Sequence, residues 1–226
     1  MRRITSEERR HELADYSGKL LSPIGATFAF LIGFAATMTW SGMSARQQAV
    51  DLQATSAQQL VWATKSISDK AAAAQIVANL HTFLDTEVTQ DVSYLARGDT
   101  TDLPSAKAYD TLQDSVHQVA YRAGTTVPEA GAMTSAAAVL TGARAELSAV
   151  AQRELPWLLT GLIIVAGALL TLAIGAASVA VYRPYLMYRW AFVSSIAVTL
   201  IFSMDAPFGG AITVNLGPLE QLANSL

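Results

Sequence analysis

Two histidine–carboxylate pairs have the spacing that chemistry would need. His81 and Asp85 stand four residues apart, and Asp114 and His117 stand three apart. On helices, both spacings put the two side chains of a pair on one face. Imidazole nitrogens and carboxylate oxygens from two neighbouring helices can then converge on a divalent metal. The simpler expectation is that all four residues are solvated flanks, with no metal and no cofactor. A second set consists of hydroxyls in apolar surroundings: Thr27, Thr37, Thr39, Ser41, Ser194 and Ser195. They can line a path for ions, replacing hydration, or bond back to carbonyls of their own helix. The chain has no H-E-x-x-H, no phosphate-cradling glycine loop and no G-x-S-x-G elbow. It also has no cysteine, which excludes thiol catalysis and disulfide frameworks. No catalytic residue is expected, and the chain reads as a protein that is not an enzyme.

The elements that must position these residues differ in the solvent they suit. Only 15% of the 226 residues are charged and the mean hydropathy is positive, a balance that points to a membrane protein. The stretches 20–45, 155–182 and 186–204 contain a single charged side chain, Arg189. A spanning helix needs about 20 residues to cross roughly 30 Å of hydrocarbon. Transmembrane helices are therefore expected at 20–43, 156–182 and 186–204, with membrane lipid as their partner. Trp40, Arg183 and Arg189 are the expected interface anchors. The first stretch follows an N-terminal segment holding four acidic residues and exceeds the roughly 7–15 residues of a signal-peptide core, so an uncleaved anchor is expected.

Orientation follows from basic residues in short loops. Residues 1–19, read as a cytoplasmic helix, hold Arg2, Arg3, Arg9, Arg10 and Lys19; the loop at 183–189 holds Arg183 and Arg189; the tail at 205–226 holds no Lys or Arg. The expected arrangement is multi-pass in a bacterial inner (plasma) membrane, N-terminus cytoplasmic and C-terminus extracytoplasmic. The polar segment 44–155 then lies outside. It carries eight basic against twelve acidic residues, which excludes a nucleic-acid footprint.

That segment reads as helices. Residues 44–66 continue the first span. Ser68 or Asp69 can cap a second helix, whose Ile76, Leu80, Leu84, Val88 and Val92 recur every fourth residue. Gly98 and the stretch 99–104 break it. A third helix uses Tyr109, Leu112, Val116 and Val119, and a fourth opens near Pro128, placed as a first-turn proline, and uses Leu140, Ala143, Leu147 and Val150. The fold class expected is all-α: three transmembrane helices with an extracytoplasmic four-helix bundle between the first and second. In the tail, Pro218 can open a last turn whose Leu219, Leu222 and Leu226 dock on the bundle or membrane.

Small residues form stripes on two of the spans. Gly25, Ala29, Gly33 and Thr37 stand four apart on the first, and Gly167, Thr171 and Gly175 do so on the second. Such rows let helix backbones approach closely, which matters where lipid supplies no hydrophobic drive. One stripe suits packing among the three spans, and the other suits self-association into a homo-oligomer or docking into a membrane complex.

Two stretches resemble a known family. Leu31-Ile32-Gly33-Phe34 is followed by Arg46 and then by Val50-Asp51, and the run from Asp205 to Val214 reads D-A-P-F-G-G-A-I-T-V. Both are similar to segments of the bacterial bestrophin-like family of membrane proteins, the second to its D-R-P-F-x-G-x-I-x-V signature after the last span. Ala206 stands where the family carries arginine, and Leu52-Gln53-Ala54 where an acidic-Ala-Asn run is expected. The tail signature comprises Asp205, Pro207, Phe208 and Gly210. In it Asp205 can cap tail N–H groups, and Phe208 can plug the tail against the bundle. The resemblance implies an ion-channel-like oligomer, by analogy with true bestrophins, which are pentameric anion channels. Two other readings stay open. One is a non-enzymatic accessory or scaffold subunit of a larger cell-envelope membrane complex; the other is an extracytoplasmic helical-bundle sensor.

Overall fold

A computed structural model of the chain describes residues 6–97, 99–122, 124–152, 155–181, 185–205 and 213–226. Helix is its only regular secondary structure among these residues. Helix α1 runs Ser6–Lys65, α2 Lys70–Thr86, a π-helical turn Glu87–Asp91, α3 Val92–Leu95, α4 Ser105–Ala120 and α5 Val127–Ala151. Then follow α6 Trp157–Val181, α7 Tyr185–Asp205 and α8 Gly217–Ser225. The chain divides into two compact units. Unit 1 comprises Met1–Ser41 and Glu154–Asp205, and unit 2 comprises Gly42–Arg153 and Ala206–Leu226.

The 60 residues of α1 would measure about 90 Å at 1.5 Å per residue, three times a hydrocarbon core. One helix therefore serves both units, with a charged start, a charge-free stretch at 20–45 and a mixed polar and apolar remainder. Pro23 lies within it and has no N–H to donate. One turn later the Thr27 hydroxyl donates to the Pro23 carbonyl at 2.9 Å.

Unit 1 is built by the N-terminal part of α1 with α6 and α7. Phe28, Ala35, Leu159, Ile163, Ala166, Leu170 and Ile201 form its core. The Phe28 and Trp190 rings meet edge to face, 6.1 Å apart. Glycine is needed where Phe28 lies on α6: a Cβ at Gly167 would stand 3.1 Å from the ring.

Unit 2 takes the rest of α1, α2 through α5, and α8. Leu60, Leu80, Leu112, Leu140 and Leu219, one from each longer helix, are all buried in a single core. The helix starts follow capping chemistry. Asp69 caps α2 by accepting from the N–H groups of Ala71 and Ala72, both at 3.1 Å. Thr126 and Glu129 close a capping box at α5, with Pro128 in the first turn but one place later than expected. Gly124 supplies the positive φ of 97° that the preceding turn requires. At α8, Asn215 Oδ1 accepts from the Gly217 N–H at 2.9 Å, and a Cβ at Gly217 would lie 2.8 Å from that oxygen.

The apolar stripe of α2 departs from expectation at its end. A strict four-residue step advances about 40° per step on a helix of 3.6 residues per turn, so the stripe rotates away from the core. Ile76, Leu80 and Leu84 are buried, but Val88 and Val92 are only partly so. The inward face passes to Phe83, Glu87, Asp91 and Leu95, carried over the π-turn.

Close packing at Gly167 makes a test of unit 1. Gly167→Leu is expected to destabilise the detergent-solubilised protein by about 1–3 kcal/mol through overpacking against Phe28. Phe28→Ala should restore part of that loss in the double variant. Gly161→Ala, where an added Cβ meets nothing within 4 Å, should leave the melting temperature unchanged or raise it.

Candidate functional site

Two buried carboxyl groups mark one place in unit 2. Glu87 and Asp91 are 6% and 1% exposed, one helical step apart on the π-turn. Such turns widen a helix by one residue and recur at functional sites. Each carboxylate meets a different neighbour. Gln53 of α1 is fully buried, and its Nε2 donates to Glu87 Oε2 at 2.6 Å. Asp91 accepts from the N–H of Ser105 at 3.0 Å and from its hydroxyl at 2.5 Å. It thereby satisfies the N-terminus of α4, where Pro104 offers no side-chain cap.

Arg144 of α5 closes the group. Its Nη2 donates to Ser105 Oγ at 3.2 Å, and its guanidinium lies over the Tyr109 ring at 4.3 Å and the Phe83 ring at 5.5 Å. The Tyr109 hydroxyl donates onward to Thr141 Oγ1 at 2.7 Å. Helices α1, α2, α4 and α5 all contribute, so the cluster belongs to the tertiary fold and not to any one element.

The electrostatics follow from desolvation. Burial pushes the Glu87 carboxyl up to about 7; the Gln53 hydrogen bond opposes the rise, the Asp91 charge adds to it, and the Arg144 charge opposes it. Burial also raises Asp91, against the two Ser105 hydrogen bonds and the Arg144 charge. The exposed end of the bundle behaves oppositely. Glu129 is held down to about 2 by the Ser68 hydroxyl, which donates at 2.6 Å, and by Thr126. Asp69 is lowered by the Ala72 N–H first, with Arg122 at 2.5 Å assisting.

A second tie joins α1 to the rest of unit 2. Arg46 is buried, and its Nε donates to the Val150 carbonyl at 3.1 Å, in the last turn of α5. One residue on, Gln47 brackets the tail: its Oε1 accepts from the Asn215 N–H at 2.9 Å and its Nε2 donates to the Asn215 carbonyl at 3.2 Å.

The residues singled out from sequence are distributed differently. His81, Asp85, Asp114 and His117 are all exposed, and the His117 ring packs on Tyr121 with centroids 4.4 Å apart. No group of three or more potential metal ligands occurs among the described residues. In the spans, a Cβ at Gly25 would be 3.9 Å from Leu170, and Gly167 faces Phe28, so one member of each stripe packs within unit 1. Ala29, Gly33 and Thr37 are exposed, and a Cβ at Gly33 meets nothing within 4 Å. Thr171 is exposed and Gly175 half-buried. The hydroxyls of Thr27, Thr37, Thr39 and Thr171 donate to carbonyls of their own helices. Ser194 Oγ is buried with no partner. Trp40 is exposed, and Arg189 lies over the Tyr185 ring at 5.8 Å. Asp205 ends α7, whereas Pro207, Phe208, Gly210 and Arg183 lie outside the described residues.

Comparison with known proteins decides the family. A model of the bestrophin-like domain matches residues 1–219. The chain belongs to the bestrophin-like family. Solved structures agree on the fold. A bacterial bestrophin homolog from Klebsiella pneumoniae is 15% identical and superposes with a TM-score of 0.73 over 92% of this chain and 83% of that one. A point-substituted form of a bacterial bestrophin homolog from the same organism gives a TM-score of 0.71 at 16% identity, over 92% and 85%. A structure described as a membrane protein gives 0.71 at 16% identity, over 92% and 83%. No curated protein matches the sequence. This bestrophin-like chain is a membrane protein, with α1 and α6 each apolar and long enough to cross a bilayer. The resemblance read from the LIGF stretch and the tail signature is thereby borne out.

The buried polar cluster was not singled out by sequence reasoning, although a signal was present. Gln53, Glu87, Asp91 and Arg144 each occupy a position where the neighbouring apolar stripe continues, three or four residues from buried Val50, Phe83, Leu95 and Leu140.

Two outcomes follow from the geometry. Ser105→Ala removes the hydroxyl donor from a buried carboxylate and is expected to cost about 1–3 kcal/mol of stability, measured by thermal melting in detergent. For pH, the folded state holds the Glu87 proton up to about 7 against an ordinary value of 4.5. Its stabilising contribution is complete below about 4.5 and is lost as pH rises through about 7. Melting temperature should fall over that window in the native chain, and Glu87→Gln should flatten the fall.

Proposed function

We propose that this bestrophin-like chain is the protomer of a homo-oligomeric membrane assembly that passes ions along an axis between copies of α1. The observation that carries this reading is the open face of α1. Ala29, Gly33, Thr37 and Ser41 are exposed in one row, and Gly33 has clear space where a side chain would begin. Small residues in such a row suit a second helix at close range. The family match supports an assembly of this class.

The arrangement in the membrane is part of the proposal. Spans at 20–43, 156–182 and 186–204 would place Arg183 and Arg189 and the basic N-terminal residues on the cytoplasmic side of the bacterial inner membrane. Unit 2 and the C-terminus would lie on the other side. Reporter fusions at Leu226 and in the loop near Gly124 should report an extracytoplasmic location. A cytoplasmic signal at both sites reverses the topology.

Assembly and conduction are tested separately. Gly33→Leu should leave unit 1 intact, because the position is exposed and a Cβ there meets nothing within 4 Å, yet should reduce the mass of the detergent-solubilised oligomer towards that of one chain. Reconstituted native protein should carry current in planar bilayers. An intact oligomer with no current under any ionic gradient would remove conduction and leave the scaffold reading.

A further inference from the structure

Gln53 and Glu87 meet in a way that leaves one polar atom without a donor. Gln53 is fully buried; its Nε2 donates to Glu87 at 2.6 Å, but its Oε1 has no hydrogen-bond partner. An ionised carboxylate only accepts, so it cannot supply the missing donor. A neutral carboxyl carries an O–H. Facing a primary amide, it can close a ring of two hydrogen bonds: the amide N–H to the acid carbonyl, and the acid O–H to the amide oxygen. The atom left orphaned by the charged form is the one that a proton on Glu87 would satisfy.

The groups around Glu87 leave that proton as its natural counter-charge. Asp91, on the same π-turn, repels a negative charge, and Arg144 of α5 attracts one. The Arg144 hydrogen bond, however, goes to Ser105 Oγ, and its guanidinium is stacked over Tyr109 and Phe83. From α4 come the Ser105 hydroxyl, which is bonded to Asp91, and the Tyr109 ring beneath Arg144. From α1 it is Gln53, and the carboxylate of α8, Glu220, is exposed. The balance of these groups puts the Glu87 titration near neutrality, since burial lifts it to about 7.

We propose that Gln53 and Glu87 form a proton-operated latch between α1 and the π-turn, shut as an acid–amide pair when Glu87 is neutral and opened when it ionises. The ligand of this site is a proton. The latch grips the second half of α1, the helix that also carries the apolar stretch of unit 1. A change in its hold would alter how firmly that helix is anchored in unit 2. The latch does not depend on whether the assembly conducts.

Hydrogen exchange on the full-length protein in detergent tests it, at pH 6 and pH 8 with intrinsic rates corrected. Peptides spanning 47–60 and 84–95 should lose protection at the higher pH by about threefold or more, as a local opening would. In Glu87→Gln, where two amides can make the same ring without titrating, protection should be equal at both pH values. Equal protection in the native chain, or a pH difference that survives in Glu87→Gln, overturns the latch. If that variant does not fold, infrared pH-difference spectra of the native chain with 13C-labelled glutamate give the same decision. A protonated glutamic acid band that disappears between pH 6 and pH 8 supports the latch, and a spectrum without such a band overturns it.

Discussion

A carboxyl group taken out of water must be neutralised, paired or richly hydrogen-bonded, and unit 2 is organised to meet that demand twice. Asp91 is met by the N-terminus of α4 through Ser105 and by the charge of Arg144; Glu87 is met by the amide of Gln53. Because these partners arrive from α1, α4 and α5, the two carboxyls define how those helices meet the α2 region. The leucine-rich core that surrounds them supplies most of the apolar burial, but leucine contacts are non-directional. A hydrogen bond at 2.5 Å between Ser105 and Asp91 is not.

Unit 1 solves a different problem. In lipid no hydrophobic drive pulls apolar helices together, so contact has to come from close packing. Gly167 lets the Phe28 ring lie against α6, and the edge-to-face contact between Phe28 and Trp190 brings in α7. The hydroxyls within these helices mostly bond to their own carbonyls, which keeps each helix self-sufficient in hydrogen bonds. What remains is the open row on α1 from Ala29 to Ser41, the surface on which the proposed assembly rests.

The two units share α1, and beyond Ser41 three of its polar side chains tie it to the rest of unit 2. Arg46 reaches the end of α5, Gln47 brackets the tail at Asn215, and Gln53 meets the π-turn. Arg46 follows the LIGF stretch of the family resemblance, and buried in an otherwise apolar face it donates its Nε–H to the Val150 carbonyl in the last turn of α5. Leu52-Gln53-Ala54, where the family pattern leads one to expect an acidic-Ala-Asn run, places an amide opposite Glu87.

Much of this was legible in the residues because it depends on local chemistry. Long charge-free stretches announce membrane helices, Asp69, Pro128 and Pro218 announce helix starts, and Gly124 announces a break. The LIGF and tail motifs pointed to the family. The metal reading of His81, Asp85, Asp114 and His117 rested on spacing along single helices. Spacing cannot say whether two faces turn towards each other, and all four residues face solvent. The Glu87 cluster escaped for the converse reason. Apart from the Glu87–Asp91 pair its members lie far apart in sequence, by 34 residues between Gln53 and Glu87 and by 39 between Ser105 and Arg144, and the four-residue stripe pointed to Val88 instead. The sequence by itself determined which segments are helical and which are too apolar for water, since propensity, capping and hydropathy act over a few residues. Only the tertiary structure decided which polar side chains are buried together, because that depends on helix rotation, here shifted through a π-turn, and on distances that no local pattern encodes.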